Sequence, residues 1–271
     1  MHLELTRPRW EITAQTGNVV RVDILGPIGM TLDGEGIRAS EFVAQLADLP
    51  ADTHLDVHLS SGGGSAPEGV VIYNNLRRFG SSRVTVDGIA ASAASIIAMA
   101  GREIVMSPGS LMMIHNGRGG LLGGTADEFR TMADLLDKTN ASMAEIYAAQ
   151  AGGSVNGWLE AMHREQWYTA TEAVAAGLAD RVDSTAEPVD EADIAAVADI
   201  GKNVFGWSHA GRAGAPAPTP IATDLEVWTT EVAAALTPPD YLTQLAALTP
   251  PDYITQLAAL APGKDGAHAD S

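Results

Sequence analysis

Residues Val84–Ser95 read VTVDGIAASAAS, and the fold turns on how that stretch is parsed. Val84–Val86 has the β-branched density of a short strand. Through Gly88 it runs into small residues and then a helix, with Ser92 at the junction. A serine there sits where unpaired backbone N–H groups and the positive end of the helix dipole converge. Donors of that kind can hold an oxyanion, so the place suits a nucleophile. Gly88, Ala90, Ala91, Ala93 and Ala94 leave room for a substrate backbone to come close. The plainer reading is a helix N-cap, a role serine favours in any case.

The flanking sequence repeats the strand-then-helix pattern. Val19–Ile28 is β-rich and stopped by Gly26-Pro27, and Ile37–Leu49 spaces Phe42, Val43, Leu46 and Leu49 at helical intervals. In His54–Leu59 the residues Leu55, Val57 and Leu59 alternate with His54, Asp56 and His58. Nothing nearby in sequence pairs with the two histidines, so they read as solvent-face residues. Ser60-Ser61-Gly62-Gly63-Gly64-Ser65 then leads into a helix near Pro67. Glycines let backbone N–H groups face outward in conformations other residues avoid. A phosphate-binding P-loop would need a following Lys-Ser or Lys-Thr pair, which is absent.

Beyond Ser92, two further strands, Glu103–Ser107 and Leu111–His115, are divided by Pro108-Gly109. Strand and helix thus alternate, which argues for an α/β fold. His115 closes LMMIH and precedes the glycine-rich loop NGRGGLLGG. Thr125 with Glu128 forms a capping box opening a long helix to about Gln150. Phe129, Met132, Ala133, Leu136, Met143, Ile146 and Tyr147 give that helix a core stripe. A helix over Ser154–Arg164, a second capping box at Thr169–Glu172 and a short strand, Ala179–Val182, complete the pattern.

The bulk numbers narrow the function. The chain has 271 residues, 46% of them hydrophobic, enough for one large domain plus an appendage. Its 34 acidic and 16 basic residues give a net charge of −18. That charge disfavours nucleic-acid partners and anionic membranes. With no cysteine there is no disulfide, Cys-zinc site or thiol nucleophile. Met1–Trp10 lacks the apolar core of a signal peptide, so the cytoplasm is the default. Residues 1–17 read as an arm or edge strand, 18–183 as the main domain and 184–222 as a linker rich in Ala, Gly and Pro. Residues 223–271 read as a loosely structured tail. That tail carries a duplication: LTPPDYLTQLAA, Leu236–Ala247, is followed at once by LTPPDYITQLAA, Leu248–Ala259, differing only at Leu242 and Ile254.

An activated serine needs a base within hydrogen-bond reach and an oxyanion hole. His115 can be the base, and the backbones of Gly63 and Ala93 can form the hole. Asp87 is too close to Ser92 in the chain to serve as the acid, leaving Glu160, Glu165 and Asp180. The order Ser, His, acid differs from that of the chymotrypsin, subtilisin and α/β-hydrolase types, and the G-x-S-x-G elbow is absent. Such chemistry calls for no cofactor or metal.

The motifs ILGPIG, SSGGGSAPEGVVIYNNL, VDGIAASAASIIAMAG, MMIHN and EQWYTATEAVAAGLADRV, in that order and spacing, resemble the Clp protease proteolytic subunit family. The likeness is closest to the Clp-like head maturation proteases of tailed phages and prophages, and covers about Val19–Val182. It implies a Clp/crotonase-type spiral of stacked βαβ units with a long projecting helix, assembling as a ring-forming homo-oligomer. It implies Ser92 as nucleophile, His115 as general base and Glu165 at the catalytic aspartate's position. Gly63 and Ala93 fall at the oxyanion-hole positions, and Gly64 beside the substrate groove. The implied substrates are proteins, with capsid and scaffold proteins expected for the phage type. The alternatives are a proteolytic subunit working with an ATP-driven unfoldase, or a non-catalytic assembly protein on the same fold. Ser60 and Gly62 replace the family's Asn and Pro, Ala93 a common Met, and Glu165 an Asp. Residues 1–17 do not resemble the axial loops that engage the ATPase.

Overall fold

The computed structural model describes residues 9–29, 36–186, 202 and 206–223. The chain divides into two units, Met1–Asp224 and Leu225–Ser271, and the duplicated segment expected as a tail lies outside the described residues. The same holds for residues 1–8 and for most of 187–205.

The first unit alternates strand and helix as the sequence pattern requires. β1 (Arg9–Thr16) and β2 (Val19–Leu25) precede α1 (Ala39–Leu46); β3 (His54–Ser61) precedes α2 (Ala66–Leu76). β4 (Ser81–Ala91) runs into α3 (Ala93–Ala98), and β5 (Glu103–Met106) and β6 (Leu111–Ile114) follow. The long α4 (Ala126–Ala151) leads to α5 (Val155–His163), β7 (Gln166–Thr169), α6 (Ala170–Ala175) and β8 (Arg181–Val182). Both expected capping boxes are present, at Thr125–Glu128 and Thr169–Glu172.

The strands form one mixed sheet in the order β1-β2-β3-β4-β5-β8, with β6 and β7 branching from β4. β4 makes the branch possible. Its first half, Arg83–Val86, pairs with β5, and its last residues, Ile89–Ala91, pair with β6. The register against β3 shifts between Leu59 and Ser61, opposite the Asp87–Ile89 stretch. A bulge there bends the strand and sends its end into a second layer. The sequence pattern stops the strand at Val86; it continues to Ala91 because the residues after Gly88 find new partners.

Val22, Ile24, Val57, Leu59, Val84 and Val86 are buried against Phe42 of α1, Ile72 and Leu76 of α2, and the wholly buried α3. Each such side chain contributes ~2 kcal/mol by leaving water. The other face of β3 and β4 is polar, as expected for His54, Asp56 and His58, but both histidines have partners. His54 Nδ1 meets Ser81 Oγ at 2.6 Å and His58 Nδ1 meets Asp87 Oδ2 at 2.8 Å. Those partners stand on the parallel neighbour strand, out of local sequence reach. Burial opposes charging His58, yet the Asp87 carboxylate outweighs it and raises its pKa.

β7 has no counterpart in the sequence reading. It pairs antiparallel with β6, Ile114 opposite Gln166 and Met113 opposite Trp167. The core stripe of α4 also holds only in part. Asn140, Met143, Ala144 and Tyr147 are buried, whereas Phe129 is half exposed and Leu122 of the preceding loop fully so.

Residues 206–222, expected as part of a linker, dock at several points on the sheet and helices. Trp207 is buried in a second apolar cluster with Ile89, Ala91, Leu111, Met113 and Trp167. Arg212 pairs with Glu172, and Ser154 N–H donates to Ala222 C=O at 2.8 Å. Composition rich in Ala, Gly and Pro does not describe these contacts, which one tryptophan, one arginine and the backbone supply.

Candidate active site

Three strand ends converge. β4 and β6 run parallel with Ala91 beside Met113, so the next residues along, Ser92 and those after Ile114, emerge together. β7 runs back along β6, so Glu165, just before Gln166, comes up beside the residue after Ile114, which is His115.

Ser92 links β4 directly to α3, and its backbone is bent to φ +55° and ψ −123°. For a residue with a Cβ this costs of order 1–3 kcal/mol. The surroundings hold it there. Its N–H donates to Met113 C=O at 2.9 Å, and its own C=O accepts from Ser95 N–H at 3.0 Å and from the buried Ser95 hydroxyl at 2.5 Å. Ser95 in turn meets Tyr147 Oη of α4 at 2.7 Å. The expected N-cap role of the Ser92 side chain is not taken up. Its hydroxyl instead meets His115 Nε2 at 2.8 Å.

His115 is 8% exposed. The chain after it is tethered, with Asn116 N–H on Met162 C=O and Gly117 N–H on the Asn140 amide oxygen. Burial lowers the His115 pKa to about 4; the Glu165 charge pulls it up and the Arg118 charge pushes it down. The imidazole is therefore neutral near pH 7, the form able to accept a proton.

Glu165 is 4% exposed and sits at φ +50°, on the turn between α5 and β7. Its carboxylate accepts from Ser208 N–H at 2.7 Å, His209 N–H at 2.9 Å and the Trp167 indole at 3.3 Å. Burial pushes the carboxyl up, but these donors outweigh it and hold it below the usual range. Among the described residues it makes no hydrogen bond or ion pair with His115, and acts on the imidazole through its charge. The other two acid candidates are engaged elsewhere: Glu160 with Arg164, and Asp180 with the Ile104 N–H.

Gly63, at φ +91°, lies against the Ser92 turn. A Cβ there would come within 2.5 Å of Ala91 O, 2.7 Å of Ser92 Cβ and 3.0 Å of Ala93 N. Its N–H donates to Ser61 Oγ at 3.1 Å. Ala93 opens α3, where N–H groups lack intrahelical acceptors. Gly64 is pressed on the Ile28 backbone, where a Cβ would lie 2.1 Å from the carbonyl oxygen.

The contributions of Trp167, Ser208, His209, Ser95 and Tyr147 were not legible in the sequence. Trp207, a lone tryptophan at the edge of an Ala-, Gly- and Pro-rich run, was the one signal that the run docks. Among the described residues no group of three or more His, Cys, Asp or Glu is arranged to hold a metal ion. No helix among them is long and apolar enough to cross a membrane.

Fold and site together define an α/β protein with a strained serine hydrogen-bonded to a buried neutral histidine. The sequence model of the family described as Clp protease matches residues 31–186, and the chain belongs to that family. It is 33% identical over 154 residues to ATP-dependent Clp protease proteolytic subunit 1 of Leifsonia xyli subsp. xyli, covering 55% of this chain and 78% of that protein. Proteolytic subunit 2 of Cutibacterium acnes is 30% identical over 169 residues, 61% of this chain and 78% of the relative. Proteolytic subunit 3 of Rhodococcus jostii (strain RHA1) is 31% identical over 157 residues, 56% and 77%.

Proposed function

We propose that the protein is a serine endopeptidase in which Ser92 is the nucleophile, His115 the general base and Glu165 the acid. The observation that carries this reading is the 2.8 Å contact between the Ser92 hydroxyl and a buried, neutral His115. Ser92 Oγ adds to a peptide carbonyl while its proton passes to His115 Nε2. The imidazolium then gives that proton to the leaving amine, and water repeats the cycle on the acyl-enzyme. Glu165 stabilises the imidazolium by its charge. The oxyanion takes the N–H groups of Gly63 and Ala93. A charged acceptor draws Gly63 N–H away from the neutral Ser61 hydroxyl, because charge-assisted hydrogen bonds are roughly twice as strong. Gly64 flanks the groove in which the substrate strand lies.

Exposed Leu121, Leu122, Phe129 and Leu135, on α4 and the loop before it, support self-association into a ring, which sedimentation equilibrium measures. For the substrate, we favour coat or scaffold proteins of an assembling capsid in a host cytoplasm. The support is that residues 9–16 are used as an edge strand rather than as an axial loop. The names of the relatives favour a second reading, a subunit fed by an ATPase. Cleavage of a coat–scaffold mixture without ATP supports the first; proteolysis that requires a Clp ATPase and ATP supports the second.

A fluorophosphonate probe tests the chemistry. It is expected to label Ser92, with an acid limb centred near the His115 value of about 4, because the lowered pKa keeps the competent neutral base to more acid pH. No adduct on Ser92 overturns the assignment.

A further inference from the structure

Residues 206–223 lie beyond the span that matches the family, yet they reach the site. Gly206 rests on the Arg118 guanidinium, where a Cβ would sit 2.5 Å from a terminal nitrogen. Trp207, 3% exposed, stands edge-on to Trp167 at 5.2 Å and packs in the cluster containing Ala91, the neighbour of Ser92. Downstream, Arg212 grips Glu172 through two nitrogens at 2.6 and 2.7 Å, and Thr219 accepts from Arg164 and Gln166. Between these anchors are the Ser208 and His209 N–H groups that donate to Glu165.

Glutamate needs more support here than aspartate would. It has an additional methylene to position, it sits on a turn with positive φ, and its carboxylate is almost out of water. A buried carboxylate without donors takes up a proton and loses its charge. Here it is fixed by the Trp167 indole and by donors from the segment beyond the family span: the Ser208 N–H and hydroxyl and the His209 N–H. We infer that residues 206–212 belong to the catalytic apparatus, the Ser208 and His209 amides acting as positioning groups that hold Glu165 fixed and ionised near His115. The inference rests on the assignment of Glu165 to the peptidase mechanism. The matched domain alone, ending at 186, lacks these donors and is incomplete as an enzyme.

The test uses the full chain. Ser208→Pro deletes both the Ser208 N–H and its hydroxyl as donors to Glu165 while Trp207 and Arg212 keep the strap docked; Trp207→Ala unseats it. Both are expected to lower kcat on a fluorogenic peptide by about 10- to 100-fold, the range for losing a hydrogen bond to a charged group. KM stays unchanged. Losing the Glu165 charge moves the His115 titration to lower pH, so in the variants the acid limb of kcat/KM passes from His115 to Glu165 and moves to higher pH as that carboxyl becomes easier to protonate. Thermal unfolding checks that each variant is folded, and if Trp207→Ala is not, Ser208→Pro and Arg212→Ala decide. Folded variants with wild-type kcat, a lower kcat with an unmoved acid limb, or a raised kcat (a strap that restrains Glu165) each overturn the inference while the peptidase reading stands. A wild-type chain that neither cleaves nor labels at Ser92 overturns both.

Discussion

Alanine at position 92 is expected to lower peptide hydrolysis by about 10⁵- to 10⁶-fold, the loss seen when the nucleophile of a serine peptidase is removed. The stability cost is small. Among the described residues the Ser92 side chain has one hydrogen bond, to His115 Nε2, whose removal costs about 1 kcal/mol. The bent backbone is held by main-chain and Ser95 contacts that alanine retains. The variant therefore keeps its fold, and the lost activity reports chemistry alone. His115→Ala is expected to lose a similar factor, because an unactivated hydroxyl is a poor nucleophile at neutral pH. The double variant is then no worse than either single one, since residues acting as a unit are not additive. Steady-state kinetics on a fluorogenic peptide, with intact-mass detection of the acyl or phosphonyl adduct, measures all three. A Ser92→Ala chain that turns over at the wild-type rate, or losses that multiply in the double variant, would remove the basis for a shared mechanism.

The pair was legible before the fold because the signals for it are local. Ser92 lies where a β-branched run meets small residues, and His115 closes an apolar strand before a glycine-rich loop. Leu111–Ile114 was legible for a similar reason: a strand buried on both sides reads as a continuous apolar run. β7 escaped because its four residues, QWYT, carry no period and no turn signal of their own. The strap escaped for a different reason. Its decisive contacts are backbone N–H groups at 208 and 209, which every non-proline residue possesses and no composition reveals. His58 shows the same limit, since its partner Asp87 is set by the parallel register and not by distance along the chain. The exposed half of α4 misled in the opposite direction. Apolar spacing tells that a face is to be covered, but not whether the same chain covers it.

Gly63→Ala is the second substitution with a large expected effect, because two costs fall at one position. The first is conformational: at φ +91° a side chain is strained by about 1–2 kcal/mol. The second is steric. The added methyl meets Ala91 O at 2.5 Å and Ser92 Cβ at 2.7 Å, atoms of the strand end and the serine turn themselves. No flexible side chain is available to swing aside, so the glycine loop or the serine turn must shift. Destabilisation of about 2–4 kcal/mol is expected, with kcat/KM lowered by about a thousandfold as one oxyanion donor is displaced. Gly17→Ala separates the two costs. Gly17 also has positive φ, +62°, but a Cβ there meets nothing within 4 Å. It lies in the β1–β2 turn, at the end of β2 away from the site. That variant is expected to lose about 1 kcal/mol and to retain full activity. Chemical denaturation and peptide kinetics on the two variants give both numbers. If Gly63→Ala is folded and as active as wild type, its N–H is not an oxyanion donor, and the glycine is there only so that one backbone can approach another.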